Sequence, residues 1–197
     1  MKDEKIDFNG YQCRMISHHG EGPCIVLLHG LMFTSDVWND IGLLHKLVKH
    51  NIPFKAVDMP YGQKSQCVPK TNDPGINMGI VARATPNDAV LIGASLGGYL
   101  ALRHGVANQV AGLLLIAPAM SLQKELSAHY DRMRTKKVSL IYGEADPVVP
   151  LEEMKELSRQ LNAELKIYEK ARHAAYLDHP ERFNNDVIEF YNQVIAR

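Results

Sequence analysis

Ser95 stands in the stretch Gly93-Ala94-Ser95-Leu96-Gly97, where a run of Leu and Ile gives way to residues with helical spacing. Glycines two before and two after a serine remove the side chains that would collide where a strand turns abruptly into a helix. Such a corner lifts the hydroxyl clear of the backbone. It also aims the helix N-terminus, with its free N–H groups and positive dipole end, at an oxyanion forming beside the serine. The chemistry this suits is attack on a carbonyl carbon. A plainer reading is that Ser95 caps the helix while Gly93, Gly97 and Gly98 let helix and sheet pack closely.

A serine hydroxyl becomes a nucleophile only when a base takes its proton, and the base needs a carboxylate to fix its tautomer. Both residue types follow later strand-like runs. Residues 138–142 lead into Gly143-Glu144-Ala145-Asp146-Pro147, and residues 165–168 lead into Lys170-Ala171-Arg172-His173. Loops that follow parallel strands gather at one edge of the sheet, so Asp146 and His173 are the expected acid and base beside Ser95. Glu144 is a rival acid and His179 a rival base, in a chain with 9 His. A fourth element, His29-Gly30-Leu31-Met32, ends the apolar run 24–28. An oxyanion hole needs a second N–H opposite the helix N-terminus, and the expected backbone donors are Leu31 and Leu96. His29 is expected to hold this loop in place.

The elements that must position these residues are legible from turn signals and periodicity. Asn9-Gly10 between residues 6–8 and 11–17 reads as a hairpin with a type I′ turn. Residues 24–28, 54–57, 89–92, 110–116, 138–142 and 165–168 read as strands, several of them continuously apolar as in sheets covered on both faces. Helices are expected from an N-cap at Ser35 to Asn51, weakly over 76–83, from the Ser95 corner to His104 with Gly105 at C′, over 151–161, and from Pro180 onward. Alternation of this kind means a mostly parallel sheet with helices on both faces, joined by right-handed crossovers. No linker or repeat interrupts it, so a single domain spanning 1–197 is expected.

Composition narrows the partners. The chain has 197 residues, is 46% hydrophobic and carries a formal net charge of zero. That is enough apolar mass for a substantial core. No block of Lys or Arg stands out, which disfavours nucleic acid and anionic membranes as partners. The charged N-terminus is followed by no apolar segment of the secretory kind, and the apolar run 110–120 is too short to cross a bilayer, so a cytoplasmic protein is expected. Cys13, Cys24 and Cys67 are odd in number and lack metal-ligand spacing, so each is expected to be a small buried hydrophobe, with no disulfide framework.

With these motifs in place, the chain resembles the α/β-hydrolase superfamily over nearly its whole length. The likeness rests on His29-Gly30-Leu31, Gly93-Ala94-Ser95-Leu96-Gly97, Gly143-Glu144-Ala145-Asp146-Pro147 and Arg172-His173, with nucleophile, acid and base in the superfamily's order. "HGLMFTSDVWNDIGLLHKL", "AVDMP", "IYGEADP" and "RHAAYLDHPERF" are similar to the small cap-less abhydrolase-domain proteins of the "interacting factor B" type. The resemblance implies an α/β-hydrolase fold and a serine carboxylesterase that uses the Ser95, Asp146, His173 triad on a small acyl ester, with no metal or cofactor. Thioesterase, acyl-lysine deacylase or acyltransferase chemistry through the same acyl-enzyme is the alternative, as is a ligand receptor on the same fold. A carboxylate would have to replace Ser95 for dehalogenase chemistry.

Two departures stand out. Tyr61 occupies the glycine position of the Asp-x-Pro-Gly-x-Gly-x-Ser pattern, and Arg172 stands where a glycine usually precedes the histidine. Only residues 118–137 separate the strand after the nucleophile from the strand before the acid, with room for one short helix and no cap domain. An open site suited to short acyl groups, or to an acyl group on a bulky carrier, is therefore expected.

Overall fold

The computed structural model describes residues 1–196. Asn9 and Gly10, at φ 50° and 84°, form the positive-φ pair of a tight turn. They close β1 (Lys2–Phe8) antiparallel on β2 (Tyr11–His18). The next strands are β3 (Ile25–Leu28), β4 (Phe54–Val57), β5 (Val90–Ala94), β6 (Val110–Ile116), β7 (Thr135–Gly143) and β8 (Glu164–Tyr168). They form one eight-stranded sheet in the order β1-β2-β4-β3-β5-β6-β7-β8, parallel from β4 through β8.

Strand side chains alternate between two cores, as the period of two requires. Val26, Leu28, Leu91, Leu113, Leu115 and Leu140 face one, covered by α3 (Pro74–Ala84), α4 (Leu96–Ala107) and α6 (Leu151–Leu161). Ile25, Leu27, Val90, Ile92, Leu114 and Ile116 face the other. That side is covered by α1 (Asp36–Asp40), α2 (Leu43–Lys49), α7 (Ala175–Asp178) and α8 (Pro180–Ile195). Trp38 of α1 is fully buried there against the rings of Tyr176 and Phe183. Between β6 and β7 the chain makes only α5 (Lys124–Ser127) and a 3-10 turn at Tyr130–Arg132, so no separate cap domain covers the strand ends.

Four local expectations are corrected. The helix expected from Ser35 to Asn51 is two helices, because Gly42 adopts φ 78° and breaks the hydrogen-bond ladder. Ser35 makes no side-chain cap; its N–H donates instead to Asp58 Oδ1 at 2.5 Å. Gly105 lies inside α4, which continues to Ala107, and its lack of a side chain makes room for Leu113. Cys13 and Cys67 form a disulfide across 54 residues, leaving Cys24 free. The odd count left one pair possible, and the reciprocal backbone bonds between Gln12 and Val68 bring the two residues together.

Candidate active site

Ser95 follows the last residue of β5 and precedes the first of α4. Its backbone is at φ 52° and ψ −114°, a sparsely populated conformation for a residue with a side chain. Its surroundings hold it there: Ser95 N–H donates to Ile116 O of β6 at 2.8 Å, and Ser95 O accepts from the N–H groups of Tyr99 in α4 and Ala119 after β6, both at 3.0 Å. The hydroxyl makes no cap hydrogen bond, so the capping alternative is not what the structure shows. The glycines are there for close approach. A Cβ on Gly97 would lie 2.3 Å from Leu28 O and 2.5 Å from His29 O, so only glycine lets the start of α4 lie against the end of β3.

That contact sets the His29-Gly30-Leu31 loop beside the serine. A Cβ built on Gly30 would lie 3.6 Å from Ser95 Cβ. His29 is fully buried and committed on both ring nitrogens: Nε2 accepts from Met59 N–H at 2.9 Å, which leaves Nδ1 to donate to Gly30 O at 2.8 Å. Burial lowers its pKa, so it stays neutral and acts as a brace. Tyr61 adds a second brace. Its buried hydroxyl donates to His29 O at 2.5 Å, and burial pushes its own pKa up. Gln63 N–H holds Leu31 O at 2.9 Å. The N–H groups of Leu31 and Leu96 have no acceptor among the described residues and remain available to a ligand.

On the opposite side, Asp146 and His173 come together. His173 Nδ1 lies 2.8 Å from Asp146 Oδ2, and the Asp146 side chain is fully buried. The other carboxylate oxygen accepts from Val148 and Val149 N–H at 2.7 and 3.1 Å, which fixes its plane. The rivals face elsewhere. Glu144 accepts from Lys170 N–H, and His179 Nε2 bonds Glu169 O. Arg172 points away as well: its N–H and guanidinium both bind Asp178, whose carboxyl they hold below the usual range.

Ser95 and His173 line one hollow of about 220 Å³, together with Gly30, Leu31, Phe33, Val148 and Tyr176. The structure thus gathers all five residues singled out from the sequence, Ser95, Asp146, His173, Leu31 and Leu96, around the carboxyl ends of the parallel strands. Phe33, Val148 and Tyr176 also wall this hollow, and nothing in their sequence spacing marks them for it. Among the described residues no group of three or more His, Cys, Asp or Glu could hold a metal ion. Among the same described residues no helix is long and apolar enough to cross a membrane.

An eight-stranded, mostly parallel sheet with an antiparallel hairpin at one edge and a strained serine between β5 and α4 defines an α/β-hydrolase fold. The chain belongs to the alpha/beta hydrolase family, which it matches over residues 25–133. It is 29% identical over 178 residues to the rat (Rattus norvegicus) protein named "Putative protein-lysine deacylase ABHD14B", covering 86% of this chain and 83% of that one. It is 36% identical over 108 residues to the pimeloyl-[acyl-carrier protein] methyl ester esterase of Pseudoalteromonas atlantica, covering 53% of this chain and 41% of that one. The crystal structure of a CIB-like hydrolase from Thermoplasma acidophilum superposes with a TM-score of 0.85 at 26% identity, covering 98% of each chain. Hydrolase chemistry is what the names of these relatives have in common, one being named a lysine deacylase and another a methyl ester esterase.

Proposed function

We propose that the protein is a serine carboxylesterase that works through an acyl-enzyme on Ser95. The observation that carries this reading is that Ser95 and His173 line the same hollow while Asp146 occupies His173 Nδ1, leaving Nε2 as the ring nitrogen free to take a proton. His173 Nε2 removes the Ser95 proton as Oγ bonds to the ester carbonyl carbon. The carbonyl oxygen takes the negative charge and is held by the Leu31 and Leu96 N–H groups. The C–O bond to the leaving alcohol then breaks, and His173 returns the proton to that oxygen. Water, deprotonated by the same nitrogen, attacks the acyl-enzyme and frees the acid and the serine.

A second reading keeps this acyl-enzyme and changes what it is built from or released to: an acyl-lysine or thioester as donor, or a thiol as acceptor. It is favoured by the name of the rat relative and by the lack of a cap over the strand ends. Labelling with a fluorophosphonate, followed by site mapping, tests the shared step. Attachment to Ser95, lost in Ser95→Ala and accompanied by loss of nitrophenyl ester hydrolysis, is expected. Undiminished hydrolysis by Ser95→Ala would refute both readings. Comparing acyl release with and without added thiol separates them, and tight saturable binding without turnover would instead point to a receptor.

A further inference from the structure

Two hollows have Leu31 in their walls. One holds Ser95 and His173 and is walled by Phe33, Val148 and Tyr176. The other, about 380 Å³, is lined by Leu31, Leu96, Tyr99, Met120, Asn72 from the loop before α3, and Asn77 on α3. Neither Ser95 nor His173 lines it, yet Leu31 and Leu96, the two residues proposed as oxyanion donors, both do.

Reaction geometry assigns the two spaces. A carbonyl carbon bonded to Ser95 Oγ carries, besides the oxyanion, an acyl chain and a leaving group. His173 must reach the leaving heteroatom to protonate it, so the leaving group belongs in the hollow that His173 lines. The acyl chain receives no proton, and the space that remains for it is the one beyond the oxyanion residues. We infer that the Leu31–Tyr99–Met120 hollow is an acyl-chain subsite, and that the preferred substrates carry a medium-length, apolar acyl group. This deepens the acyl-enzyme reading and rests on it.

Four observations agree with that occupant. The volume lies within the range of roughly 300–1,000 Å³ typical of ligand pockets, and is far more than an acetyl group fills. The lining is mainly leucine, tyrosine and methionine, which reward methylene burial. Leu31 and Met120 remain 39% and 43% exposed although both are large and apolar, the signature of a surface that works covered. Met120 also sits at φ 53°, a left-handed conformation of the kind that clusters at ligand clamps. The open site suggested by the missing cap therefore does not restrict the acyl end to short chains.

The test compares nitrophenyl acetate, butyrate, hexanoate and octanoate with a parallel series of acetate esters of lengthening alcohols. In the wild type, kcat/KM is expected to rise by up to roughly four-fold per buried methylene along the acyl series. Asn72→Trp, at an exposed position on the acyl hollow, is expected to cut the octanoate-to-acetate ratio at least ten-fold and leave the alcohol-length ratio unchanged. Val148→Trp, in the His173 hollow, is expected to do the reverse. A fall in the alcohol-length ratio in Asn72→Trp, or no rise along the acyl series in an enzyme that cleaves acetate, would overturn the subsite alone. Absence of both ester cleavage and fluorophosphonate labelling would instead overturn the acyl-enzyme reading beneath it.

Discussion

His173 Nδ1 and Asp146 Oδ2 lie 2.8 Å apart although 27 residues separate them in the chain, and the carboxylate is fully enclosed. The enclosure matters because two backbone N–H groups hold the other oxygen, so the carboxylate cannot rotate away from the ring. An amide in its place keeps the shape but offers an N–H where an acceptor is needed. Asp146→Asn is expected to lower kcat for ester hydrolysis by about a thousand- to ten-thousand-fold with little change in KM. Glu144→Gln, which alters only a bond to Lys170 N–H, is expected to stay within about two-fold of wild type. Initial-rate kinetics on both variants decide which acid serves.

Tyr61 supports the His29-Gly30-Leu31 loop through its bond to His29 O. Tyr61→Phe removes the hydroxyl that donates to a buried carbonyl without opening a cavity, a change worth about 1–3 kcal/mol. A melting temperature lower by about 2–10 °C is expected. Because the carbonyl belongs to the residue two before Leu31, kcat should fall several-fold while Ser95 still reacts with a fluorophosphonate. Thermal melts and labelling rates measured on the same preparation check both halves.

The sequence announces the chemistry more clearly than the walls around it. Gly93 and Gly97 are legible because each answers a steric demand that only a missing side chain meets, and Asn9-Gly10 because that pair tolerates the positive φ of a tight turn. Asp146 and His173 are legible because parallel strands deliver their loops to one edge, so strand order converts sequence order into proximity. Gly42 and Gly105 show the limit: one breaks a helix and the other does not, and the difference lies in whether a neighbour such as Leu113 needs the space. The Cys13–Cys67 pair was hidden for a similar reason, since the pairing of Gln12 with Val68 that brings them together is a long-range contact with no local pattern. Phe33 and Tyr176 are ordinary aromatic residues until the fold sets them beside Ser95.

That disulfide ties the buried edge of β2 to the segment carrying Tyr61 and Gln63, and it closes a long loop in the unfolded chain. Constraint of the unfolded state by such a loop is worth about 2–4 kcal/mol. Cys13→Ala is expected to lower the melting temperature by about 5–15 °C. Dithiothreitol should destabilise the wild type by a similar amount and leave the variant unaffected. A wild type whose melting temperature ignores the reductant, with two free thiols more than expected by titration, would show that the pair is not bonded in solution.

Acid sensitivity follows from His29. Its folded-state pKa is lowered by burial, and its hydrogen bonds require the neutral ring, whereas the unfolded chain takes up a proton at about 6.5. The unfolded state therefore binds more protons on acidification, so the stability from this group is complete above about pH 6.5 and is lost as pH falls below it. His104, lowered by burial in the same sense, acts in the same window, while Asp178, held down by Arg172, acts only below the ordinary carboxylate range near 4. Asp58 opposes the His29 shift without reversing it. Denaturant midpoints should accordingly fall between pH 7 and pH 5, with a slope of up to about 1.4 kcal/mol per pH unit for each proton taken up. In His29→Gln, which keeps a polar side chain but cannot titrate, the slope should be shallower and the remainder should come from His104. An equal slope in wild type and His29→Gln would mean that His29 does not set the acid limit of this fold.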